Sequence, residues 1–161
     1  MAVSGDGYLA RGPDDDMSWT GPLDKAVFRA LTAIGGVVAA GSHTFDLMPK
    51  VLHGRTLLRL SRTSILSWSL EQLARVQPGA WLVGGPTVVR AALDSNLVAE
   101  VHLCRLMRVR LFYEPAGESD CSDGRISMDV LHPPVATEAF PIEMTTRFDE
   151  SLIVQTYRVA T

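Results

Sequence analysis

Two cysteines, Cys104 and Cys121, are all that 161 residues contain, with no Cys-x-x-Cys and no zinc-like pairing with histidine. That leaves no basis for a disulfide framework or a structural metal, and a reducing cytoplasm is the expected setting. No apolar run nears the length of a membrane span. The N-terminus lacks a charged segment followed by an apolar one, so neither a membrane partner nor export is expected. Charge of one sign is scarce too: a formal net charge of -3 gives no electrostatic reason to expect nucleic acid as a partner. G-x-S-x-G, a metal-ligand cluster and a nucleophilic cysteine setting are all missing, which removes support for nucleophilic hydrolysis and zinc chemistry. The G-x-G-x-x-G of a Rossmann dehydrogenase is absent as well.

What is present is the composition of an ordinary globular protein, 47% hydrophobic and 20% charged. The length predicts one domain over 1–161 with a full core and no staples. There is no internal repeat and no linker to divide it, and a monomer is expected. The one acidic run, Asp14-Asp15-Asp16, reads as a solvated loop, because three adjacent carboxylates on a turn define no coordination geometry.

Along the chain, strands and helices alternate first. A strand at 1–4, a turn at Gly5-Asp6-Gly7 and an extended 8–10 precede the acidic loop that Gly12-Pro13 opens. Pro22 suits the first turn of a helix, and Leu23, Val27, Phe28, Leu31 and Ile34 recur on one face until Gly35-Gly36. Residues 37–40 read as a strand buried on both faces, 42–48 as a short helix, 55–60 as a strand and 70–76 as a helix. A strand at 80–83, the Gly84-Gly85 turn and a helix at 86–93 follow. Val101, Leu103, Leu106, Val109, Leu111 and Phe112 are strand material, 114–124 is an exposed loop, and 142–148 with 152–159 form a hairpin. This order predicts an α/β fold whose mostly parallel central sheet carries an antiparallel C-terminal edge, with helices on both faces.

Asp24 falls on the first turn of the helix that follows Met17-Ser18-Trp19. Two readings stand for it: an exposed acid complementing the helix dipole, or a carboxylate beside Trp19 and Phe28 whose surroundings favour proton transfer near neutral pH. Met17 and Trp19 either pack the loop or close over a ligand. Three segments, Gly41-Ser42-His43-Thr44, Ser61-Arg62-Thr63-Ser64 and Gly84-Gly85-Pro86-Thr87, read as strand-to-helix junctions suited to anions. A dinucleotide offers a central pyrophosphate and, in its phosphorylated form, a ribose phosphate that Arg62 is suited to select. His43 either donates to nearby backbone or touches such a cofactor. Arg55 either opens a strand in solvent or holds a substrate carboxylate.

In this order the residues resemble the dihydrofolate reductase family. Met17-Ser18-Trp19 is similar to its mobile Met-x-Trp loop, and Asp24-x-x-x-Phe28 to its catalytic acid and folate-stacking aromatic. Gly41-Ser42-His43-Thr44-Phe45 resembles G-R-x-T-[FWY], Leu52-x-Gly54-Arg55 resembles L-P-G-R, Leu60-Ser61-Arg62 its ribose-phosphate segment, and Val83-Gly84-Gly85 the glycine pair before the cofactor helix. The resemblance implies NADPH held by Gly41, Ser42, His43, Thr44, Ser61, Arg62, Thr63, Val83, Gly84, Gly85, Pro86, Thr87 and Val88. It implies dihydrofolate, or an antifolate, held by Met17, Trp19, Phe28, Leu52, Arg55 and Cys104, with Asp24 promoting protonation while hydride is delivered, as in tetrahydrofolate biosynthesis. It also implies a cis Gly84-Gly85 peptide. Ser42 replaces the family's arginine, His53 its loop proline, Cys104 a threonine and Val89 an aromatic, and the first strand starts later. Ser4-x-Asp6-Gly7 with Gly84-Gly85-Pro86-Thr87 is also similar to the riboflavin-pathway reductase domain, which reduces a ribosyl-aminopyrimidine. A reductase-fold protein that binds cofactor without catalysis is the third reading.

Overall fold

A computed structural model of the chain describes residues 1–12, 14–63, 67–111, 126–127 and 142–159. Its elements are β1 (Ala2–Ser4), β2 (Tyr8–Ala10), a 3-10 turn (Ser18–Thr20), α1 (Gly21–Ala33), β3 (Val37–Gly41), α2 (Ser42–Leu47) and β4 (Thr56–Leu60). After these come α3 (Leu70–Val76), β5 (Trp81–Leu82), α4 (Pro86–Asp94), β6 (Glu100–Leu106), β7 (Ile126–Ser127), β8 (Ile142–Arg147) and β9 (Leu152–Arg158). The parallel pairing comes early and the antiparallel strands late, as the order of elements predicts. Pro13, Ser64, Phe112, Cys121 and the loop expected at 114–124 lie outside the described residues.

The contacts divide the chain into two compact units, Met1–Lys25 with Ala99–Ala160, and Ala26–Val98. In the second, β3 is the central strand of a parallel sheet ordered β4-β3-β5. Its Val38, Ala39 and Ala40 are fully buried, which is why the strand shows no polar alternation. Ala39, Leu60 and Leu73 form a core against which Leu58, Trp68, Leu70, Leu82 and Val88 pack. Each large side chain so buried contributes roughly 1.5–3 kcal/mol. Helix α3 begins at Ser69, whose hydroxyl accepts from the Gln72 N–H while the Gln72 side chain accepts from the Ser69 N–H, a capping box.

The first unit holds a sheet ordered β1-β6-β9-β8, in which β1 runs parallel to β6 and the later pairs are antiparallel. A second pair, β2 with β7, is antiparallel. Leu152, Val154 and Thr156 alternate onto one face of the sheet with their register partners Leu106, Cys104 and His102. The hairpin between β8 and β9 is closed by Asp149, whose Oδ1 accepts from the N–H groups of Ser151 and Leu152 at 2.6 and 3.0 Å.

Two expectations need correction. Strand β6 stops at Leu106, because the Val109 N–H bonds back to the Leu106 carbonyl at 3.1 Å and closes a turn, so Val109 and Leu111 lie outside the strand. Helix α1 also buries a different stripe. Leu23 and Ile34 are 37% and 69% exposed, while Asp24, Val27 and Thr32 are buried with Phe28 and Leu31 half-buried between them. The inward face therefore has an apolar middle and a polar residue at each end, and both polar residues require partners.

Candidate functional site

Asp24 is 8% exposed. It sits one turn into α1, and its carboxyl meets the Thr20 hydroxyl and the Cys104 thiol of β6. Burial pushes the acid above the usual carboxylate range, and it outweighs the groups that act the other way, led by Thr20. The Thr20 hydroxyl also reaches the Met17 carbonyl at 3.1 Å. Burial likewise lifts Cys104 to about 11, with the Asp24 carboxyl adding to the rise, so near neutral pH Cys104 is a thiol and a weak donor.

The preceding loop is built around Asp15. Met17 has a left-handed backbone (φ 57°, ψ 26°), and the Trp19 indole N–H donates to Asp15 Oδ2 at 3.0 Å. The acidic run is thus not wholly solvated, as the sequence reading had it: the Asp15 side chain is 1% exposed and paired with Arg11. Among the described residues no group of acids, histidines and cysteines is arranged to hold a metal ion.

In the second unit, Thr32 joins Phe28 to Arg55. Its hydroxyl donates to the Phe28 carbonyl at 2.6 Å and accepts from Arg55 Nη1 at 2.7 Å. The guanidinium lies 5.6 Å from the centre of the Phe28 ring, within cation–π range. Leu52 accepts the Arg55 N–H at 2.9 Å across a turn that holds Gly54 at φ 70°. Arg55 is therefore a braced side chain half-buried against a ring.

The register of the parallel sheet brings the three anion-type segments to one edge. Gly41 pairs with Leu60, so 41–44 and 61–63 leave the sheet together, and the Val83 N–H bonds to the Ala39 carbonyl at 3.0 Å just before Gly84. The Gly84-Gly85 peptide is cis. The Gly41 N–H bonds to the Gly84 carbonyl at 2.8 Å, and a Cβ on Gly41 would lie 2.7 Å from Val88 Cγ2. Neither Gly41 before α2 nor Gly85 before α4 makes a side-chain cap, and Pro86 opens α4. Small residues and uncapped first turns leave backbone open to an anion such as a diphosphate. Ser42, Thr44 and Val88 are half-buried here, while His43 and Thr87 are exposed.

The third segment differs from expectation. It is not a helix start: α3 begins only after Ser69, and the Ser61 N–H bonds to the Trp68 carbonyl at 3.0 Å. Ser61 and Thr63 make a local hydroxyl turn with Arg62 exposed between them. Sequence reasoning also missed Asp15, Thr20 and Thr32. The signal for Thr32 was its spacing, eight residues after Asp24 on the inward side of α1, where apolar residues are expected; Thr20 lies in the 3-10 turn before that helix and carried no such signal.

No family model matches the chain, and no curated protein matches it. Solved structures do. One is the crystal structure of a "Putative riboflavin biosynthesis protein" from Shewanella sp. PV-4, 16% identical, with a TM-score of 0.67 over 100% of this chain and 97% of that one. The two chains share one α/β fold, the dihydrofolate reductase-like fold that the sequence motifs resemble.

Proposed function

We propose that the chain is an NADPH-dependent reductase acting on a C=N bond of a substrate with an aminopyrimidinone edge, a ribosyl-aminopyrimidine of the riboflavin type being the leading candidate. The observation that supports the class best is Asp24, a buried carboxyl set between Thr20 and Cys104. Its two adjacent oxygens match the neighbouring amide and amino groups of such an edge, and its raised proton affinity suits it to hold or pass the proton that the nitrogen must take up. NADPH, when bound, would supply the hydride. The residues that would hold it are Gly41 to Thr44, Ser61 to Thr63 and Val83 to Val88, where the crowded glycines keep side chains away from the backbone.

Two observations favour the ribosyl-aminopyrimidine. One is the likeness to the riboflavin-biosynthesis structure. The other is the Ser4-x-Asp6-Gly7 turn, which is built as a unit: Ser4 donates to Asp6, the Tyr8 N–H donates to Ser4 Oγ at 2.9 Å, and the Leu111 N–H donates to Asp6 at 2.9 Å. A second reading, dihydrofolate, is favoured by Arg55 braced over Phe28, which offers a guanidinium and a ring to a ligand with a carboxylate and an aromatic group.

NADPH consumption measured with each substrate in turn tests the proposal. Turnover of the ribosyl-aminopyrimidine is expected. Turnover of dihydrofolate alone, with methotrexate binding by calorimetry, puts the second reading first. Tight NADPH binding with turnover of neither overturns both and leaves a noncatalytic cofactor-binding protein.

A further inference from the structure

Met17 and Trp19, which the resemblance sets against the substrate, are both tied to one carboxylate. Asp15 Oδ1 accepts from the Met17 N–H and from Arg11 Nη2, both at 2.9 Å; Oδ2 accepts from Trp19 Nε1 at 3.0 Å and from the Arg11 N–H at 2.6 Å, with Arg11 Nε at 3.3 Å. A carboxylate offers about four such directions, so Asp15 is filled by its own loop. Its side chain is 1% exposed, whereas that of Asp16, which shares Arg11 Nη2 at 2.9 Å, is 71% exposed. Burial works against ionisation of Asp15, but the hydrogen bonds from the Arg11 side chain and from the Arg11 and Met17 N–H groups outweigh it and bring Asp15 to about 2, so the clasp is ionic near neutral pH. Met17 has a left-handed backbone that a non-glycine residue keeps only where its surroundings impose it. Asp15 fixes its N–H on one side, and the Thr20 N–H reaches its carbonyl at 3.3 Å on the other. Met17 and Trp19 are themselves half-buried. With the Met17 N–H and the indole N–H both committed to Asp15, their side chains have only a thioether and the apolar surface of an indole to offer a ligand.

We propose that Asp15 is a positioning residue for substrate binding: it holds Met17 and Trp19 in one arrangement before any ligand arrives, so that the loop meets a planar ring with apolar surface already in place. Asp15 touches no substrate itself, because its oxygens are occupied within the loop. Order present in the free chain lowers the cost of binding, since side chains that are already fixed lose less freedom when a ligand docks. The role toward substrate rests on the reductase reading; the ordering of Met17 and Trp19 rests on the loop alone.

The experiment first follows the Trp19 indole N–H by NMR in the full chain without ligand, assigned with Trp19→Phe. Trp81, whose indole N–H donates to the Ile34 carbonyl at 2.7 Å, is the internal reference. Asp15→Asn removes the charge and turns one acceptor oxygen into a donor. The Trp19 signal is expected to shift and its proton to exchange about tenfold faster or more, while the Trp81 signal stays in place and reports an intact fold. Arg11→Gln, at an exposed position, is the safeguard should Asp15→Asn fold poorly, with the same shift and exchange about threefold faster. Steady-state kinetics follows, with the ribosyl-aminopyrimidine, or with dihydrofolate if that is the one reduced. KM in Asp15→Asn rises about three- to tenfold with kcat within about twofold, because lost order is felt equally in the ground and transition states. A Trp19 signal unmoved in both variants overturns the clasp. A moved signal with an unmoved KM overturns the positioning role and leaves Asp15 a structural residue only. Should neither substrate be reduced, the reductase reading fails, while the indole signal still decides whether Asp15 orders the loop.

Discussion

Arg55 reaches Thr32 across 23 residues of sequence, at 2.7 Å, and that hydroxyl holds one end of the guanidinium. Thr32→Val keeps the shape and removes the acceptor. If Arg55 holds an acidic group of the substrate, KM rises roughly three- to tenfold with kcat within about twofold, because the loss falls equally on ground and transition states. One hydrogen bond of this kind contributes about 1 kcal/mol, so Tm falls by roughly 2–4 °C. Steady-state kinetics with a melting curve checks both, and an unchanged KM removes Arg55 from the substrate site.

Asp24→Asn moves activity and stability in opposite directions. Turnover falls by about 10²- to 10⁴-fold, the usual contribution of a positioned acid or base. The folded-state proton affinity of Asp24 is raised above its unfolded value, so the stability tied to it is full below about pH 4 and is lost as pH rises through the folded-state midpoint. Asparagine carries no such charge. The variant therefore melts higher than the native chain at neutral pH, and the gap closes on acidification below pH 4 or so. Calorimetry across that range measures it, and a variant that melts lower at neutral pH contradicts a carboxyl whose proton affinity is raised by burial.

Cys104→Thr replaces a weak thiol donor with a stronger hydroxyl one against the same carboxyl. A better donor favours the ionised form, so the alkaline limb of the kcat–pH profile moves to lower pH while NADPH affinity is unchanged. A profile that does not move shows that the thiol contact has no part in setting the proton on Asp24.

The sheet edge was legible in the sequence because its signals are local. The apolar run before Gly41, the glycine pair at 84–85 and Pro86 at a helix start each report their own backbone, and parallel pairing brings their ends together. Asp24 was visible through spacing, but its surroundings were not. Cys104 stands on a strand 80 residues away, and no local pattern says that β6 runs beside it. Asp15 was misread for a related reason: in sequence it is one of three identical acids, and only the fold of the loop turns it inward to Met17 and Trp19 while Asp16 stays exposed. Helix periodicity gave the right helix and a stripe set slightly wrong, because Asp24 and Thr32 take inward positions that an apolar count assigns to Leu23 and Ile34.

Gly41→Ala tests the cradle without touching a charge. The added methyl would stand 2.7 Å from Val88 Cγ2, closer than real Cβ atoms come, so α4 or the loop at 84–85 must shift. That shift reaches the Gly41 N–H and its 2.8 Å bond to the Gly84 carbonyl, and with them the backbone that a diphosphate would approach. NADPH affinity measured by calorimetry should fall about tenfold or more, since a misplaced charge-assisted contact is worth 1.5–3 kcal/mol or so. Adding Val88→Ala removes the opposing methyl and should return part of the affinity. Loss without such recovery points to strain elsewhere, and undiminished NADPH binding in Gly41→Ala means that the cofactor does not lie on this edge of the sheet.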